Sequence, residues 1–158
     1  MSLLELEYKE QAPVGWKNSM LPVGRTREVR GMDTLVDKPL PEPKWRTVTE
    51  ARLSKLIGYP VGWDGYGGKP PKANVIRFVQ SLLQSTMSSA APAPSVVPMS
   101  GGGIQLEWHT GGFDIELTVY APFQAELSVE YPDDRESVEE QTITSDFSAL
   151  GVLMAELA

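Results

Sequence analysis

The chain has no cysteine and a single histidine, His109, in 158 residues. Without cysteine there can be no disulfide framework, thiolate metal site or thiol nucleophile. With one histidine, any histidine-dependent triad has to be built on His109. Its neighbours are acids, and no Gly-x-Ser-x-Gly elbow or similar nucleophile setting occurs. No apolar run approaches the roughly 18 residues of a membrane span, so no membrane partner is expected. The opening segment, residues 1–7, carries Glu5 and Glu7 where a secretory signal needs basic residues and then a long apolar run. A cytoplasmic location is the expectation.

The largest deficit is positive charge. From residue 91 onward Arg135 is the only Lys or Arg, against twelve Asp and Glu, so this part carries −11 of a chain whose net charge is −7. Residues 1–46 carry +1 and residues 47–90 carry +3. A region this anionic cannot neutralise phosphates, which excludes direct nucleic-acid binding there. Hydrophobic residues make up 41% and charged residues 22%, enough for one domain of this length to bury a core.

Residues 1–46 are rich in turn formers (Ala12-Pro13-Val14-Gly15, Leu21-Pro22-Val23-Gly24, Pro39-Leu40-Pro41-Glu42-Pro43) and read as an extended or partly disordered arm. A short strand over 3–8 and self-association through the arm are further expectations. Residues 47–158 read as one α+β domain. Thr47-Val48-Thr49-Glu50 has capping-box spacing and predicts a helix start. Val48, Ala51, Leu53, Leu56 and Ile57 form its apolar set, and Gly58 is placed to end it in the left-handed conformation. A second helix is expected from about Lys72 to Met87, with Val75, Ile76, Phe78, Val79, Leu82 and Leu83 facing the core.

From Ser95 the apolar period changes to two. Val96, Val97 and Met99, broken by Pro98, predict a short edge strand. Ile104, Leu106 and Trp108 alternate with Gln105, Glu107 and His109. Phe113, Ile115, Leu117 and Val119 alternate with Asp114, Glu116, Thr118 and Tyr120, and Ala125, Leu127 and Val129 with Glu126, Ser128 and Glu130. The expected architecture is two helices, then a three- to four-stranded antiparallel meander packed on them. A last strand at 141–145 is optional in that scheme. A C-terminal helix follows, capped by Ser145 or Asp146, with Phe147, Leu150, Leu153 and Leu157 inward.

A hairpin centred on Gly111-Gly112 pairs residues whose numbers sum to 223. Trp108 then meets Ile115 and Leu106 meets Leu117 on the buried face, while His109 meets Asp114 and Glu107 meets Glu116 on the other. The polar face gathers Glu107, Asp114, Glu116, Glu126 and Glu130 with no Lys or Arg. Like charges directly opposite one another destabilise a sheet. Three readings of this face stand side by side. It is a solvated surface, a docking surface for a basic partner, or a metal site built from Glu107, His109, Asp114 and Glu116.

The segment Gly62-Trp63-Asp64-Gly65-Tyr66-Gly67-Gly68 places two aromatics and one carboxylate among four glycines. Trp63 and Tyr66 are either pins that fix the loop to the core, with Asp64 closing a turn through its own backbone, or anchors for a partner. The glycine spacing is not that of a phosphate-binding loop. This segment with Lys69-Pro70-Pro71, followed by a helix and then Gly102-Gly103-Ile104-Gln105-Leu106-Glu107-Trp108, resembles a set of small bacterial and mobile-element proteins without an established activity. The likeness covers roughly residues 45–130. It implies a shared architecture and habitat and carries over no catalytic residues.

The reading that collects these features is a non-catalytic acidic interaction module: an inhibitor, antitoxin or anti-defence factor. Its partner would be a basic or nucleic-acid-binding protein, and no cofactor is expected. Trp63, Asp64, Tyr66, Glu107, Asp114, Glu116, Glu126 and Glu130 are its candidate binding residues. The alternatives are a metal-dependent hydrolase using the sheet carboxylates and a structural subunit of a phage or larger assembly.

Overall fold

The computed structural model describes residues 42–158. The strand expected at 3–8 and almost all of the expected arm lie outside the described residues.

The first helix, α1 (Lys44–Leu56), starts three residues before the expected capping box. Its N-terminal neighbour is Pro43, and no side chain caps it. Thr47 and Glu50 do not cap it because both already lie inside it, and Glu50 accepts from Arg46 Nε at 2.9 Å. The buried stripe is Trp45, Thr49, Leu53 and Leu56, whereas Val48 and Ile57 face outward. That stripe includes two buried polar atoms, Trp45 Nε1 and Thr49 Oγ1, without partners among the described residues. Gly58 does not adopt a left-handed conformation. Instead Gly58 N–H donates to Lys55 O and Tyr59 N–H to Leu56 O, both at 3.2 Å, which closes the last turn with short-range bonds.

The second helix, α2 (Ala73–Thr86), follows the prolines at 70–71 and buries Val75, Ile76, Val79, Leu82 and Leu83 as expected, whereas Phe78 is half-buried between Phe123 and Phe147. Five strands then form one antiparallel sheet in sequence order: β1 (Ser95–Pro98), β2 (Ile104–Thr110), β3 (Phe113–Ala121), β4 (Gln124–Glu130) and β5 (Val138–Ile143). The last helix is α3 (Ser148–Glu156), in front of which Asp146 accepts the Ser148 N–H at 2.9 Å. The α+β class is as expected, with five strands rather than three to four. The extra strand is β5, which begins earlier than 141 and is hard to read because its central four residues are all exposed.

The register of β2 on β3 is the expected one throughout, including Trp108 with Ile115 and Glu107 with Glu116. Gly111 and Gly112 have φ of 62° and 81°, the paired left-handed conformation a two-residue hairpin turn requires. Ile104, Leu106, Trp108, Ile115, Leu117, Val119, Ala125, Leu127 and Val129 are all buried. They form one core with α2, α3 and the stripe of α1. The opposite face of these strands is partly exposed along its length.

Trp108 is the largest fully buried side chain, and its Nε1–H donates to Pro92 O at 3.1 Å, tying the linker before β1 to β2. Trp108→Ala is expected to cost about 3–5 kcal/mol in urea unfolding, from lost burial and the cavity left behind. Trp108→Phe should cost less, retaining most of the bulk and losing the bond to Pro92. Near-native stability in the alanine variant would mean that the two sheet faces are assigned the wrong way round.

Candidate functional site

The loop after α1 is organised by one carboxylate. Asp64 Oδ1 accepts the N–H groups of Tyr66 at 2.9 Å and Gly68 at 2.8 Å, and Ser100 Oγ donates to Asp64 Oδ2 at 2.7 Å. The first two bonds are the local turn expected of Asp64. The third reaches the β1–β2 connection, where Lys69 N–H also donates to Ser100 O at 2.8 Å. Gly68 has to be glycine, since a Cβ there would overlap the Asp64 carboxylate. Donation by Tyr66 N–H, then by the Ser100 hydroxyl and Gly68 N–H, holds the Asp64 carboxyl below the usual carboxylate range.

The two aromatics of the loop differ in role. Trp63 is partly buried, lies 5.4 Å from the Tyr59 ring and donates from Nε1 to Lys69 O at 3.3 Å. Tyr66 is 96% exposed. The ring is thus displayed on a loop whose backbone is fixed on both sides of it.

On the open face of the sheet, the expected carboxylates come together. Glu107 stands opposite Glu116, Asp114 opposite Glu130, and Glu126 opposite Thr118. His109 is set between two acids, its Nδ1 3.0 Å from Asp114 Oδ1 and its Nε2 3.5 Å from Glu107 Oε2. Gln105 Nε2 donates to Glu107 Oε1 at 3.2 Å and Tyr120 O–H to Glu126 Oε2 at 2.6 Å. That bond to a carboxylate raises the Tyr120 phenol above its ordinary value. Glu116 and Glu130 make no side-chain hydrogen bond or ion pair among the described residues. Tyr66 and this carboxylate row belong to different parts of the surface. The loop is tied to the turn that precedes β2, while His109, Asp114 and Glu130 lie at the far ends of their strand pairs.

Where β4 meets β5 the ladder shifts: Leu127 pairs with Gln141 and Val129 with Val138. Residues 139 and 140 are therefore bulged, Glu140 adopts φ of 45°, and its N–H donates to Ser128 Oγ at 3.3 Å. Beside the bulge is a groove of about 270 Å³ lined by the carboxylates of Asp114, Glu116, Glu130 and Glu139 and the hydroxyls of Ser128 and Ser137. Ser137 and Glu139 are site residues that sequence reasoning missed, because the groove exists only through the bulge, whereas Ser128 was already expected on the polar face. Ser100 was missed as well, being 36 residues from the carboxylate it holds.

Arg135, the only Lys or Arg after residue 90, contributes nothing to this face. It is engaged by Asp133 at 2.8 Å and Glu156 at 3.0 Å, and its guanidinium lies 4.1 Å from the Tyr131 ring centre. Among the described residues no three His, Asp or Glu side chains are grouped so as to hold a metal ion. Glu107, His109, Asp114 and Glu116 are neighbours across strands rather than a convergent ligand set. No family model, curated protein or solved structure matches the chain.

Two outcomes follow for the loop. Trp63→Ala should lower stability by about 1–3 kcal/mol, the aromatic contact and one hydrogen bond, whereas Tyr66→Ala should stay within about 0.5 kcal/mol of the parent. Parallel thermal melts decide it, and equal losses would make Tyr66 a structural pin. For Asp64, the folded-state value lies below the unfolded one. Its contribution is therefore present above the unfolded value of about 3.9 and lost as pH falls through the folded value. The stability gap between the parent chain and Asp64→Asn should accordingly narrow on acidification, and an NMR titration should place the Asp64 midpoint below the ordinary range. A midpoint at the ordinary value would refute the clamp.

Proposed function

We propose that this protein is a non-catalytic interaction module whose open sheet face covers a basic surface of a partner protein. The observation that supports this most is the groove beside the β5 bulge. Four carboxylates line it, and no Lys or Arg lies on the surrounding strands. At physiological ionic strength screening acts over about 8 Å, so carboxylates on adjacent strands act together on an approaching cation. The groove holds the volume of roughly nine waters at about 30 Å³ each, which suits an ammonium or guanidinium head with part of its hydration. Complementary fields of this kind speed encounter and reject anionic competitors.

Masking a basic, nucleic-acid-binding surface is the use such a face serves best. An inhibitor, antitoxin or anti-defence factor is the corresponding biological role. The exposed Tyr66 is a separate aromatic contact of a type favoured at interface anchors.

The test is a triple neutralisation, Asp114→Asn with Glu116→Gln and Glu130→Gln. Relief of the Asp114–Glu130 and Glu107–Glu116 repulsions should leave the variant as stable as the parent or more so, by about 0.2–1 kcal/mol per pair. The same variant should lose most of its capture of basic proteins in lysate pull-downs, and capture by the parent should fall steeply as salt is raised. Capture that is indifferent both to salt and to the three substitutions would rule the docking face out.

A further inference from the structure

The two edges of the sheet are unequal. The β1 edge is four residues long and ends in Pro98, which has no N–H to donate. The β5 edge is six residues long and contains no proline, and among the described residues no strand pairs with its outer side. An open edge of this kind presents backbone N–H and C=O groups at the spacing a further strand requires.

The surfaces above and below β5 also differ. On the open face lies the carboxylate groove. On the helix side a second depression, of about 240 Å³, lies between β5 and α3 and is walled by Tyr131, Val138, Val152 and Leu153. Val152 is 61% exposed. Successive side chains of a strand point to opposite faces. A strand laid along β5 would therefore send alternate side chains towards the carboxylates and towards this apolar depression.

We propose that the outer edge of β5 is a strand-addition site for an extended segment of a partner protein in which lysine or arginine alternates with aliphatic residues. Main-chain hydrogen bonds would supply affinity in this mode, and the two depressions would select side chains. The proposal rests on the docking-face reading and goes further in naming the edge, the mode of binding and the sequence pattern of the partner. Charge complementarity decides the occupant. Pairing β5 with the β5 of a second copy would bring Glu139 and Glu140 of both chains together, and the repulsion of these acids opposes such self-pairing. A cationic segment does not meet that charge obstacle, since the acids that repel a second copy attract it.

The experiment is an amide NMR titration of the isotopically labelled full chain with three six-residue peptides. One alternates Lys and Val, one is the same peptide with every backbone nitrogen methylated, and one alternates Glu and Val. The Lys-Val peptide should shift the amides of Val138–Ile143 and of Val152 saturably. The methylated peptide should bind at least about tenfold more weakly, since it cannot donate main-chain hydrogen bonds. The Glu-Val peptide should leave the spectrum unchanged. Equal binding by the methylated peptide would overturn strand addition while leaving the docking face intact. No response to either cationic peptide would remove both. Shifts at β5 on raising the protein concentration alone would identify a second copy as the occupant and overturn the proposal.

Discussion

Slipping β2 against β3 by one residue would turn Ile104, Leu106 and Trp108 to water and carry Glu107 into the core. The two-residue turn at Gly111-Gly112 and the apolar rows on three successive strands exclude that slip, and the rest of the structure depends on this register. Each fully buried aliphatic side chain contributes about 1.5–3 kcal/mol, whereas a like-charge pair on the wet face costs about 0.2–1 kcal/mol. The core term wins easily, so the register that buries Leu106 and Leu117 also forces Glu107 opposite Glu116. The concentration of acids on the open face is therefore a consequence of how the inner face packs. What remains chemically distinctive is that no strand supplies a compensating Lys or Arg.

Asp64 and Arg135 are carboxylate and guanidinium links between parts of the chain that the ladder does not join. Asp64 fastens the glycine-rich loop to the β1–β2 connection through Ser100. Arg135 fastens the β4–β5 connection to α3 through Glu156 while stacking near Tyr131. Asp64 is half-buried and Arg135 exposed, and each acts by fixing a loop rather than by adding to the core. With Arg135 occupied in this way, the acids on β2, β3 and β4 have no Lys or Arg to pair with among the described residues.

The central strands could be read in the sequence because their signal is local: strict alternation, and a glycine pair that admits one tight turn. The register followed, and with it Glu107, Asp114, Glu116, Glu126 and Glu130 as face residues. The start of α1 could not be read this way. Thr47 to Glu50 has the spacing of a cap, yet Trp45 is worth more in the core than a capping bond is at the surface, so the helix extends back to Lys44. β5 was only partly legible because Glu139, Glu140, Gln141 and Thr142 are all exposed, and an edge strand lacks the alternation that burial imposes. The groove beside it depends on a bulge, a feature of pairing between strands rather than of either strand alone. The bond from Ser100 to Asp64 spans a distance in sequence over which spacing rules have no reach.

The charge layout gives the described part of the molecule two electrical sides. Lys44, Arg46, Arg52, Lys55, Lys72 and Arg77 lie on α1, on α2 or immediately before it, whereas the acids concentrate on the sheet and the segments around β5. Arg46 is matched by Glu50, and Arg52 donates to Pro94 O at 2.7 Å, so part of the positive side is committed to local bonds. No comparable commitment is made by Glu116 or Glu130 on the negative side. Under the docking reading proposed above, a basic surface would be drawn to the sheet side and turned away from the helix side before any contact forms. In the same proposal, the unequal edges of the sheet set where along that layer the approach would end. The β1 side closes early at a proline, and the β5 side remains open with acids above the edge and aliphatic side chains below it.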